Sequence, residues 1–147
     1  MKITTPQLRQ AVPTLANLAL GKHGSLDYDP ATGESILELN DDRSWVAVVT
    51  VRTSQTDTPQ IGVRHKTIEK ARIANESAAP NGVAILYTWL ADNAVYLVCA
   101  EENSIKEIAE PGGLFAVSEE MMYIRRDRFE EAKASEATIF TARWSLS

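Results

Sequence analysis

Two histidines occur in the chain, in His23-Gly24-Ser25 and His65-Lys66-Thr67. Each could give or take a proton near neutral pH, so two converging imidazoles would make an acid–base pair. The second chemistry-bearing set is basic. Arg64, His65, Lys66, Lys70 and Arg72 fall within one helical stretch, and cations at that spacing could track phosphates. Arg125, Arg126 and Arg128 form another such group, but Glu119, Glu120, Asp127, Glu130 and Glu131 surround it, so ion pairing is the expected outcome there. The third set is "VAVVTVRTSQ", Val46 to Gln55. Thr50 and Arg52 stand two apart in an apolar run and so share one side of a strand.

The elements that must hold these residues can be read from the pattern. The 147 residues suit one domain spanning 1–147, and 44% hydrophobic content is enough for a packed core. Net charge is −5. Residues 1–50 carry four bases and six acids, residues 51–100 five and four, and residues 101–147 six and ten. That acidic balance argues against a dedicated duplex binder, while the middle segment can still present a local basic face. Cys99 is the one cysteine. It excludes an internal disulfide framework and a multi-cysteine zinc site, fits a reducing cytoplasm, and should pack as a small apolar residue. No leader-like apolar segment opens the sequence, and "VAILYTWLA" is too short to span a bilayer. A soluble, cytoplasmic protein with no membrane partner is expected.

"TTPQLRQAVPTLANLALGKHG" reads as a helix. Thr5 is the expected cap, Pro6 takes the first position, and Leu8, Val12, Leu15 and Leu18 or Ala19 make the apolar face. Pro13 should kink or restart it, and Gly21 should end it. "SLDYDPATGESILELN" reads as a hairpin, and "WVAVVTVRT" as a third strand of an antiparallel meander. After a polar loop "SQTDTPQIG", "VRHKTIEKARIANESA" reads as a helix with Ile68 and Ile73 inward and a basic outer side. "PNGVAILYTWLADNAVYLVCAEE" should be two central strands about Ala91-Asp92-Asn93. A short helix or turn in "NSIKEIAEPGG" follows. "LFAVS" reads as a strand. Next come extended chain through Tyr123–Arg126, a helix from Asp127, and a last strand in "ATIFTARWS". Trp45, Trp89 and Trp144 belong to the core or its rim. The fold class is α+β, a mixed α/β arrangement with helices packed on a central sheet.

This order, with "VRTS" closing the third strand, resembles the core of the PD-(D/E)xK restriction-endonuclease-like superfamily over residues 5–100. In that family a first helix precedes a three-strand meander, then a helix and a further strand. The resemblance implies an Asp early in the meander and an acid-x-Lys triplet on the third strand, sharing a divalent metal that activates water at a phosphate. Asp27 or Asp29 would match the first Asp, and Thr50-Val51-Arg52 the triplet. Thr50 then stands where a second carboxylate belongs. Arg52 keeps the positive charge but cannot exchange a proton near neutral pH. Glu38, on the neighbouring strand, could replace the missing acid. The paired H-x-[S/T] motifs are similar to those of two-histidine phosphoesterases. Neither histidine falls within an apolar strand, however, so a helix-end and a helix-start histidine are expected instead.

The resemblance therefore implies a degenerate, non-catalytic member. Such a domain would bind a protein, or a protein–nucleic acid assembly, in DNA processing, defence or counter-defence. Its expected binding residues are Arg52, Arg64, His65, Lys66, Lys70 and Arg72, with no cofactor. Two alternatives stand beside it. One is a nuclease using magnesium or manganese on Asp27, Asp29 and Glu38, with Arg52 as electrophile. The other is a structural or assembly subunit of a virion or complex, forming a homo-oligomer through an exposed strand edge such as "ATIFTARWS".

Overall fold

A computed structural model describes residues 3–28, 35–53, 59–76, 80–134 and 139–146, with the side chains of 131–134 excepted. The first helix, α1 (Thr5–Leu20), is capped by Thr4 rather than Thr5. The Thr4 hydroxyl accepts from the Gln7 amide, and the Gln7 side chain accepts from the Thr4 amide at 2.9 Å. That reciprocal box satisfies two amides the helix leaves open. Pro13 does not break α1. Its missing donor frees the carbonyl of exposed Arg9, which water can reach, so the turn survives. Leu8, Val12, Ala16 and Leu20 are the buried face, whereas Leu18 is 62% exposed. The four-residue steps from 8 through 12 and 16 to 20 define the inward stripe, and Leu18 falls off it.

A 3-10 turn (Gly21–His23) leads into strands β1 (Gly24–Tyr28), β2 (Ser35–Leu39) and β3 (Ser44–Arg52), an antiparallel meander. The chain then makes β4 (Gln60–Arg64) and α2 (His65–Ala74), where a loop and a longer helix were expected. The period of two in Ile61 and Val63, both buried, identifies the strand. Ile73 is 68% exposed, not inward. A five-residue step from Ile68 turns it well around the helix. Strands β5 (Val83–Ala91) and β6 (Ala94–Glu101) form a hairpin closed by Asp92 and Asn93, with φ values of 51° and 58°. Two left-handed residues in succession match the twist of the flanking strands. There follow α3 (Glu102–Ile108), β7 (Phe115–Val117), β8 (Met121–Arg125), a 3-10 segment (Arg126–Ala134) and β9 (Ile139–Ser145).

Six strands make the main sheet, in the order β1-β2-β3-β5-β6-β9. β4-β8-β7 make a second, three-stranded sheet that the sequence pattern did not disclose. Among the described residues only β3 and β5 pair in parallel. One face of the main sheet packs on α1, joining Leu8, Val12 and Leu20 to Leu37, Trp45, Leu86 and Leu97. The other face meets Ile68 of α2, Ile105 of α3, and Ile61, Phe115, Met122 and Ile124 of the second sheet. Covered on both faces, β5 and β6 read as nearly continuous apolar runs. The Tyr87 hydroxyl donates to the Met122 carbonyl at 3.2 Å, stitching one sheet to the other. No described helix is long and apolar enough to cross a membrane.

Candidate binding cleft at the ends of the parallel strands

Strand register places the expected site residues. Alternation puts Thr50 and Arg52 on the face of β3 away from α1, with Val46 and Val48. Asp27 lies opposite Ile36, which lies opposite Val46. Thr50 is four residues further along β3, about 13 Å, and two strands away, roughly 10 Å. Glu38 pairs with Ser44, further still from Thr50. Ligands of one divalent ion must all lie within about 2.6 Å of it, so this register does not bring Thr50 to Asp27 or Glu38. Asp27 and Glu38 are exposed strand residues, and Asp29 lies outside the described residues. Among the described residues no group of three or more His, Cys, Asp or Glu side chains could hold a metal.

What surrounds Thr50 and Arg52 is apolar and aromatic instead. Thr50 pairs with Tyr87, a buried residue whose phenol is pushed upward by loss of solvent. Arg52, exposed, pairs with Trp89. Trp89 pairs with Tyr96 on β6, and Tyr96 with Arg143 on β9. The register thus builds a row across four strands: cation, indole, phenol, cation. Trp89 and Tyr96 stack with centroids 5.3 Å apart and planes 2° from parallel. Phe129 sets its edge against both, at 6.0 Å and 5.1 Å. Such edge-to-face contacts direct positive ring edges onto negative faces. The Arg143 guanidinium lies 5.5 Å from the Tyr96 centroid, and its Nε–H donates to the Tyr96 hydroxyl at 3.1 Å. That hydrogen bond, with the attraction of Tyr96 and more weakly of Asp92 and Glu130, holds Arg143 above its ordinary pKa.

A cleft of about 450 Å³ opens beside this row, lined by Pro59, Trp89, Tyr96, Arg126, Asp127 and Phe129 among others. Asp92 and Glu130 are also in its lining, Arg52 and Arg143 stand outside that lining, and its floor lies at the carboxyl end of β5 and the start of β6. Open sheets with parallel strands commonly bind ligands at that end, because the loops diverge there. Arg126 is anchored through its amide, which donates to the Pro59 carbonyl at 2.7 Å.

The helical basic group divides. His65 places Nε2 2.9 Å from the Ser118 carbonyl, and Arg72 bonds both Glu69 and Glu102. The Glu102 hydrogen bond raises the Arg72 pKa, with burial working against it. Glu102, nearly buried, also meets Lys106 at 3.1 Å. Arg64, Lys66 and Lys70 remain exposed. Since Glu101 pairs with Ala84, Arg72 lies toward the end of β5 opposite Trp89. Five residues, or about 16 Å, separate the two positions along the strand. In the other arginine group Arg125 reaches Asp127 at 3.5 Å.

His23 sits in the 3-10 turn, 6.2 Å from the Phe140 ring, and far along the chain from His65 at the start of α2. Cys99 is fully enclosed, its thiol pushed up to about 12 by burial, which leaves it an inert packing group. Trp45 and Trp89 are core residues and Trp144 packs at the rim. The sequence pattern marked Arg52 but missed Tyr96, Phe129 and Arg143 as its companions. Trp89 and Tyr96 flank the Asp92-Asn93 turn symmetrically, and that hairpin spacing was the available signal. No family model matches the sequence, and no curated protein or solved structure matches it.

Proposed function

We propose that the chain is a non-catalytic binding domain with a nuclease-like core, acting on a protein or a protein–nucleic acid assembly in DNA processing, defence or counter-defence. The element order supports the core: a helix, an antiparallel three-strand meander, a helix, and a strand lying parallel to the third. The observation that carries the binding role is the Arg52–Trp89–Tyr96–Arg143 row at the cleft. Where the resemblance calls for an acid and a lysine on β3, this chain has Thr50 and Arg52, and Arg52 opens a row that runs through stacked aromatics to Arg143 on β9. Guanidinium groups beside aromatic rings suit anionic and planar groups of a partner. The exposed cations Arg64, Lys66 and Lys70 supply a second basic surface on α2.

The test is capture of partners from the native cell, with and without nuclease treatment, by wild type and by the pair Arg52→Ala and Arg143→Ala. A protein partner that survives nuclease and is lost with the folded double variant supports the reading. Cleavage of DNA or RNA that requires magnesium or manganese and disappears with Asp27→Ala or Glu38→Ala would overturn it in favour of an enzyme.

A further inference from the structure

The main sheet ends at β9, which among the described residues pairs with β6 alone. This is an edge of seven residues, with no proline and with Arg143 as its sole charge. Long uncharged edges invite another strand, and proteins that stay monomeric usually block them with charge, proline or a bulge. The flank above β9 continues the same character. Helix α1 carries one charged residue, Arg9, and no acid, in a chain with 20 acids. Between α1 and the sheet lies an apolar groove of about 470 Å³, lined by Ile3, Gln7, Ala11, Leu15, Val95 and Leu146 among others. The helical stripe through Gln7, Ala11 and Leu15 runs on to Leu18, 62% exposed, and Leu146 beside the groove is 43% exposed. Depletion of charge about an apolar centre is what distinguishes the core of a protein interface from the remaining surface.

The edge is also self-complementary. Let β9 meet β9 of a second copy antiparallel, about a twofold axis through Ala142. Then Phe140 faces Trp144 of the second copy, twice, and both lie on the α1 face. Thr141 faces Arg143, also twice, and no like charges stand directly opposite. Aromatic cross-strand pairs stabilise such ladders, and opposed like charges weaken them.

We propose that β9 pairs with β9 of a second copy of this chain, joining two six-stranded sheets into one continuous sheet with the two α1 helices on the same side. The inference rests on the edge and its flank; it shares Arg143 with the row beside the cleft, and the single changes at Thr141 test the edge without altering that row. It is tested by sedimentation equilibrium from about 1 μM to about 1 mM, with folding checked by circular dichroism. Wild type should rise to twice the monomer mass. Thr141→Lys should weaken the dimer roughly tenfold, because two Lys–Arg143 pairs arise at once. Thr141→Glu should tighten it by a similar factor. Both substitutions fall at a half-buried position on the sheet face away from α1. The double change Thr141→Lys with Arg143→Glu should restore the dimer. A strict monomer at the highest concentration, or a dimer indifferent to the sign of the charge at position 141, would overturn the proposal.

Discussion

The two ends of β5 use arginine in opposite ways. At the carboxyl end Arg52 and Arg143 border a stacked Trp89–Tyr96 pair, and Arg143 bonds a phenol. At the amino end Arg72 is held by Glu69 and nearly buried Glu102, with Lys106 completing the group. A guanidinium satisfied by carboxylates fastens α2 to α3 and has little left to offer a ligand. A guanidinium leaning on an aromatic ring keeps donors for one. The basic residues that sequence spacing grouped together thus separate into fasteners and reachable cations, and the partner of each decides which.

That contrast can be broken at several strengths. Phe129→Ala removes the ring that edges against both Trp89 and Tyr96, and should cost about 3 kcal/mol, read by urea unfolding. A much smaller loss would show that the aromatic row is a loose rim and not a built floor. Glu102→Ala should cost about 2 kcal/mol by undoing the α2–α3 fastening, lowering Tm by roughly 6 °C. Arg72→Ala should follow at about 1 kcal/mol with partner capture unchanged. Arg52→Ala should do the reverse, staying within about 0.5 kcal/mol in stability while capture falls. Crossed results for those two arginines would exchange the roles assigned to the two ends. A comparably small change is expected of the joint replacement Thr50→Glu with Arg52→Lys, which rebuilds the acid-x-Lys triplet. It should leave the fold intact within about 1 kcal/mol, since Thr50 is only half-buried. Unfolding by that pair would show that this strand position is not the one the resemblance assigns.

The α+β class, the first helix, the meander and the β5–β6 hairpin were all legible, because each rests on local periodicity or turn chemistry. Leu8 and Val12 read as inward for that reason, and Asp92-Asn93 as a turn. The second sheet was not legible. β7 has three residues and β4 five, and they share a sheet only through β8, far away in the chain. The row beside the cleft was half legible. Arg52 stood out by its place on a strand, whereas Arg143 joins it only through the β5–β6–β9 register, which no local pattern encodes. The separation of Asp27 from Thr50 has the same origin, since a one-dimensional spacing does not state which rows align across three strands.

The parallel seam between β3 and β5 also sets an order of assembly. β1–β2–β3 and β5–β6 are built from neighbours in sequence and can form as hairpins on microsecond timescales. Joining them requires the span 53–82 to be crossed first, and β9 to return across a longer one, 102–138. Loop closure of that kind must precede the contacts that reward it, so it slows the search. The chain is therefore expected to pass through two early hairpin units whose facing edges, β3 and β5, stay exposed until the crossover closes. Hydrogen-exchange labelling during refolding should protect Tyr87 and Val98, whose amides face each other within the hairpin, before Phe140 and Ala142, whose amides face β6. In those moments the open β3 and β5 edges, apolar along most of their length, are where a second chain could wrongly enter.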